Sequence, residues 1–282
     1  MVKGFPTAWL VTPGLIWLLV FLVAPLFSII VFSFWTYTGS GMAPDFTLKN
    51  YVDYFSSPIY LITLWDTLKY TVTVMFFCLI VGYPIAYFLA MQVETFKWQM
   101  ALFLLCMVPF WISYLIRALA WIPMLGRNGL LNIALQALHI IDEPLTMFLF
   151  SDFGLVMAMV QLYVVLCVGP IFFSLVKIDR SLLEASRDMG ASHFQVFWEI
   201  IRPLSLPGVA IGMIFVFVMV MGEFATAVVV GGGKTAMVGT IILNLLGIVQ
   251  YPFAAVNALW LMLGMMLGVF VIMRLVDIRK EL

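Results

Sequence analysis

Along this chain long apolar runs alternate with short polar interruptions. Six apolar segments stand out, at residues 9–34, 67–91, 98–121, 152–176, 207–230 and 254–276. Each holds the roughly 20 mostly apolar residues that a helix needs to cross a bilayer. The pattern predicts an all-α polytopic membrane protein of six transmembrane helices. The interruption at residues 92–97 is brief, so the second and third helices should form a tight hairpin. Residues 36–66, rich in Gly, Asp, Ser and Tyr, read as a polar outer segment. Residues 123–151 open on the turn cluster Gly126-Arg127-Asn128-Gly129 and continue through an apolar stretch to Leu138, too short to span and suited to the interface.

Between the fourth and fifth segments lies a charged island from Asp179 to Pro203. Ser181 with Glu184 three residues on predicts a capping box, in which hydroxyl and carboxylate each satisfy a free backbone N–H. Gly190 stands where a helix C-terminus needs positive φ. Ser192 with Gln195 repeats the capping pattern, and that second short helix should stop before Pro203. Helix, bend and helix at a membrane surface make an elbow suited to docking.

Composition agrees with the pattern. Hydrophobic residues make up 65% and charged residues 10%, with a mean hydropathy of +1.14, against about 25% charged in soluble domains. This is one membrane domain over residues 1–282, with a core of about 65–276. The net charge is zero, so no polyanion surface is implied and nucleic acid is excluded as a partner; membrane lipid surrounds the chain. Cys78, Cys106 and Cys167 all fall in apolar runs and read as small buried hydrophobes, with neither a disulfide nor a metal site suggested. The apolar run after Lys3 is too long for a cleaved signal, so the first helix should stay.

Six spans place both termini on one side, and basic residues select it. With the N-terminus inside, Lys3, Lys97, Lys177, Arg180, Arg187, Arg202, Arg274, Arg279 and Lys280 are inner, while Lys49, Lys69, Arg117, Arg127 and Lys234 are outer or intramembrane. That bias makes the island and both termini cytoplasmic. Pro13, Pro25, Pro84, Pro109 and Pro170 fall within spans, where each removes a helical hydrogen bond and permits a kink. The pairs Gly208/Gly212 and Gly264/Gly268 have the small-xxx-small spacing that lets helices approach closely.

Ionisable groups inside spans mark function by default. Glu223 in the fifth segment and Arg117 in the third qualify. They either pair with each other or face a pathway, where Glu223 would attract a cationic solute and Asp66 would assist at the entrance. Trp111, Tyr114, Trp121, Tyr83 and Tyr87 could meet an organic cation through cation–π contact or belong to interfacial belts. Gly231-Gly232-Gly233-Lys234-Thr235 imitates the end of a phosphate loop, but Val228 stands where that motif needs its first glycine. An intramembrane enzyme finds no support: only His139 and His193 are present, with no Gly-x-Ser-x-Gly or His-Glu-x-x-His. A transporter working alone should show more intramembrane charge and an inverted repeat.

The island also resembles a family signature. Glu184-Ala185-Ser186, Gly190, Ile200 and Pro203 are spaced as in the EAA loop of bacterial ABC importer permeases, with Ser186 replacing the second Ala and Arg202 the usual Leu. Gly82-Tyr83-Pro84-Ile85-Ala86-Tyr87, Pro109-Phe110-Trp111, Asn128-Gly129, Ile141-Asp142-Glu143-Pro144 and Gly222-Glu223-Phe224 are similar to the polyamine (spermidine/putrescine) branch, which also has relatives for Fe(III), thiamine, opines and phosphonates. The resemblance implies a non-catalytic permease subunit in the bacterial inner membrane. Its partners would be a second permease, two ATP-binding subunits holding ATP and Mg, and an external solute-binding protein. It makes the elbow a coupling helix between helices 4 and 5. Ser181, Glu184, Ala185, Ser186, Arg187, Asp188, Gly190 and His193 would form its ATPase-facing surface, with Glu184 holding the N-terminus and Gly190 setting the bend.

Overall fold

A computed structural model describes residues 7–233 and 235–276; the basic residues Lys3, Lys234, Arg279 and Lys280 counted above lie outside the described residues. Contacts gather into two compact units, residues 1–62 with 241–262 and residues 63–240 with 263–282.

The first unit begins with α1 (Val11–Ser33), apolar throughout, whose side chains bury almost nothing within this chain. The following polar segment carries secondary structure of its own. A two-stranded hairpin, β1 (Thr36–Tyr37) with β2 (Met42–Ala43), turns through Gly39 at φ +88°. Helix α2 (Lys49–Ser56) follows. Its buried Asn50 amide donates to the Ser33 and Trp35 carbonyls at 2.9 and 2.8 Å, supplying donors that the end of α1 lacks. Tyr54 stacks between Tyr60 and Trp260, a contact of aromatic rings distant in sequence that hydropathy along the chain does not encode.

The second unit carries the main core. Helix α3 (Pro58–Gln92) enters it at residue 63 and meets α4 (Phe96–Trp111) in the expected hairpin. The turn is held by Gln99, whose amide donates to the Ala90 and Val93 carbonyls, both at 2.8 Å. The third predicted span is not one straight helix. It breaks by 86° between α4 and the next helical stretch. Pro109 lies in a tight 3₁₀ turn (Val108–Trp111), Ile112 is extended, and a new helix, α5 (Tyr114–Leu119), starts after Ser113. Pro109 cannot continue the hydrogen-bond ladder, and this break is the result. Short helices α6 (Trp121–Leu125) and α7 (Leu130–Ala137) follow; α7 accounts for the short apolar stretch ending near Leu138.

Helix α8 occupies Asp152–Val176, the predicted bounds, with Ser151 capping its N-terminus through the Gly154 N–H. The elbow helix α9 (Arg180–Asp188) leads into α10 (His193–Met221). Here the structure corrects two expectations. Asp179, not Ser181, caps α9, its carboxylate accepting the Ser181 N–H at 2.9 Å, while Ser181 and Glu184 form no capping box. The second elbow helix does not stop before Pro203 but runs through it. A π turn (Phe197–Ile201) precedes Pro203, and its wider ring accommodates a residue that lacks the amide hydrogen. Ser192 and Gln195 do form the predicted capping box. The fifth segment also ends early: α10 stops at Met221, and α11 (Ala225–Val229) is a separate turn of helix. After a glycine turn with Gly232 and Gly233 at positive φ come α12 (Val238–Gly247) and α13 (Tyr251–Leu275). The described residues thus contain five helices long and apolar enough to span, and a sixth span if the bent pair counts as one.

Helices α8 and α10 pack along most of their lengths around Leu155, Met159, Leu162, Ile171, Phe172, Val216 and Val220. A Cβ on Gly208 would stand 2.4 Å from the Pro170 carbonyl oxygen, and one on Gly212 3.1 Å from the Cys167 Cα. The small-xxx-small pair therefore sets how closely these helices meet. Gly268 does the same against the Phe217 ring. Gly208→Val is expected to destabilise the fold by about 1–3 kcal/mol through overpacking. Thermal unfolding of the purified chain in detergent should show a lowered midpoint; an unchanged midpoint would mean that α8 and α10 separate freely.

Candidate functional site

Two places in the second unit collect the residues singled out from the sequence. The first is the elbow. Leu183 and Ser186 of α9 and Val196 and Ile201 of α10 face the core. Ser186 sits inward because it is small, and its hydroxyl is satisfied by the Leu183 carbonyl at 2.8 Å. That anchoring turns Ser181, Glu184, Ala185, Arg187, Asp188 and His193 outward. Gly190 adopts φ +88°, where an L side chain is strained, and a Cβ there would meet no atom of the protein. Met189 and Phe194 flank the bend at 84% and 71% exposure, an apolar tip on an otherwise charged surface. A cleft of about 170 Å³ opens beside it, lined by Arg180, Glu184 and Arg187 with Tyr87 and Ile201. Glu184 thus faces this cleft and does not hold the helix start. Asp179 does, and the Ser181 N–H lowers its pKa below the ordinary carboxylate range. The folded value is depressed, so the cap's stabilisation is present at neutral pH and lost as pH falls through that value.

The second place is a cavity of about 330 Å³ lined by Phe110, Tyr114, Arg117, Leu162, Tyr163 and Glu223, among others. Glu223 lies in the break between α10 and α11, at 4% exposure. Its Oε1 accepts the Thr226 N–H at 2.8 Å and the Tyr114 hydroxyl; its Oε2 accepts the Tyr163 hydroxyl. Tyr114 has one hydroxyl hydrogen and gives it to Glu223, so the Thr226 hydroxyl, 2.7 Å away, donates to Tyr114. The break follows from this demand. A straight helix would spend the Thr226 amide on the backbone, whereas the interrupted one offers it to the carboxylate.

Arg117 reaches the same cavity from α5 but forms no ion pair with Glu223; among the described residues the ion pair found is Lys69–Asp66 at 3.0 Å. Its Nη1 donates to the Leu162 carbonyl at 3.4 Å, its guanidinium lies 5.8 Å from the Phe110 ring centroid, and its Nε is buried without a protein partner. The remaining pathway candidates stand elsewhere. Trp111 is 73% exposed, Trp121 donates to Gln161 at 3.4 Å, and Asp66 is held by Lys69. Tyr83 bonds Ser205 at 2.9 Å, between α3 and α10. Tyr163 and Thr226 escaped sequence reasoning. The available signal for Tyr163 was a phenol amid an apolar run, since a buried Tyr hydroxyl seeks a partner.

No protein-family model matches the chain. Among curated proteins it is 35% identical over 258 residues to the spermidine/putrescine transport system permease protein PotB of Escherichia coli, covering 90% of this chain and 92% of that one. The PotB protein of Haemophilus influenzae is 32% identical over 260 residues, 92% and 90% of the two chains. Among solved structures, a chain of a bacterial ABC transporter involved in the import of the acidic polysaccharide alginate superposes with a TM-score of 0.77, at 16% identity over 96% of each chain, a likeness of fold. With relatives matched at this identity over nine-tenths of its length, the chain belongs to the ABC importer permease family, as a relative of the spermidine/putrescine permeases.

Proposed function

We propose that this chain is one of two permease subunits of an ATP-driven importer for polyamines such as spermidine and putrescine, in a bacterial inner membrane. The observation that carries this reading is the match to spermidine/putrescine permeases over nine-tenths of the chain. The second permease, a different chain of similar design, supplies the other wall of the pathway and covers part of the apolar α1. Two ATP-binding subunits hold ATP and Mg, and an external binding protein delivers the solute. Both termini and the elbow are cytoplasmic, in line with the basic residues around it.

The elbow docks on an ATP-binding subunit through its outward face: Ser181, Glu184, Ala185, Arg187, Asp188 and His193, with Met189 and Phe194 at the tip. An apolar tip of this size needs a cover. Closure of the ATPase pair moves the elbow, and the close α8–α10 contact carries that motion into the membrane. Glu223 attracts the cationic solute as it passes, while the Tyr114 and Tyr163 hydroxyls hold its carboxylate in place and offer their own oxygens and ring faces to an ammonium group.

The test is ATP hydrolysis by the complete complex in lipid, with the binding protein added empty and then loaded with spermidine or putrescine. Stimulation by the loaded protein alone supports the reading; stimulation only by another solute keeps the architecture and replaces the cargo. Gly190→Trp should leave the complex assembled but lose most of the stimulation, because its side chain strains the φ +88° bend and projects into space that no atom of this chain fills. Full ATPase and uptake in that variant would remove the elbow from the mechanism. Glu223→Gln should lower uptake of a cationic solute about tenfold or more, and Tyr163→Phe should lower it less, with a loss of stability of about 1.5–3 kcal/mol for a bond to a charged group. Unchanged uptake by Glu223→Gln would exclude the carboxylate from the pathway.

A further inference from the structure

A carboxylate beside a transport pathway raises a difficulty that its attraction for cargo does not solve. It attracts every cation, and an inner membrane with an inside-negative potential drives protons and inorganic cations inward. In this protein the same cavity holds an opposite charge. Arg117 lines it together with Glu223, makes no ion pair among the described residues, and keeps its Nε buried without a protein partner. It is held in the cavity wall by the Leu162 carbonyl at 3.4 Å and by the Phe110 ring.

We propose that Arg117 is the selectivity element of this cavity, a fixed positive charge that bars protons and inorganic cations drawn by Glu223 while an organic ammonium passes. A small hydrated ion meets the full repulsion of the guanidinium and gains nothing from the apolar part of the lining. An alkylammonium meets the same repulsion but offsets it with contacts to Phe110, Tyr114, Met219 and Phe224, all of which line the cavity. Positive groups placed along a pore act as barriers to protons and cations by this physics. The proposal rests on the reading that this cavity lies on the transport pathway, and not on which amine is carried.

The experiment uses the complete complex in sealed vesicles, turning over ATP with loaded binding protein under a potassium diffusion potential. Proton entry is followed with a pH-sensitive dye trapped inside, and assembly of each variant is checked by size-exclusion chromatography. Arg117→Gln is expected to raise proton flux about tenfold over the parent complex, as the repulsion of one unit charge lining the same cavity is removed. Arg117→Lys should stay at the parent level, and Arg117→Gln combined with Glu223→Gln should return to it, because the attracting charge is then gone. Parent-level flux in an assembled Arg117→Gln complex overturns the proposal. If that variant fails to assemble, Glu223→Gln decides: with Arg117 unopposed, iodide flux should rise about tenfold while proton flux does not, and no iodide rise overturns the proposal. Uptake by Glu223→Gln reports separately on the pathway itself, so a failed barrier and a failed pathway are distinguishable.

Discussion

A carboxylate at 4% exposure inside an apolar bundle must be given donors, and much of the second unit is arranged to provide them. The Thr226 amide is released by interrupting the fifth span after Met221. The Tyr163 hydroxyl comes from α8. The Tyr114 hydroxyl comes from α5, whose direction depends on the 86° break after Pro109. Two departures from regular structure and one unbroken helix therefore converge on one side chain. Irregular backbone at membrane depth is tolerated where it lines a cavity, and Phe110, Ile112, Gly222 and Phe224 of the two breaks line this one.

The same helices connect this cavity to the elbow. Tyr163 sits on α8 and Glu223 just beyond the end of α10, while the elbow is the connection between those two helices. Gly208 and Gly212 let α8 and α10 meet at backbone distance, since an added Cβ would stand 2.4 Å from the Pro170 carbonyl oxygen or 3.1 Å from the Cys167 Cα. Glu223 is fixed by its donors, and Arg117 is carried by a short helix of its own.

Much of the fold was legible in the order of residues. A helix crossing lipid must be apolar for about 20 residues whatever its neighbours, so α1, α8 and α13 fall within a few residues of their expected bounds. Gly190 was legible because positive φ is a local demand, and the Ser192–Gln195 box because its partners are three residues apart. Local rules failed where two of them competed. Asp179 and Ser181 both suit a helix start, and two residues of backbone geometry decided for Asp179. Pro203 was a stop signal by its chemistry, but a preceding π turn made it part of α10. The outer segment was legible only as polar, because its fold rests on Asn50 clamping carbonyls 15 and 17 residues away and on aromatic stacking across the chain.

The cavity divides in the same way. Composition alone made Glu223 and Arg117 conspicuous, because charge is costly in an apolar run at any depth. Their relation was decided only in three dimensions. The sequence left pairing and separation equally open, and the structure separates them by giving Glu223 three donors of its own. Tyr163 lies 60 residues from Glu223 and obeys no motif; only the packing of α8 against α10 brings it there. Trp111, Trp121, Asp66 and Tyr83, singled out by residue type, do not line this cavity. Span, charge and cap are properties of neighbouring residues and were determined by the sequence. Which polar groups share a cavity depends on helix contacts of long sequence separation, and that the tertiary structure decided.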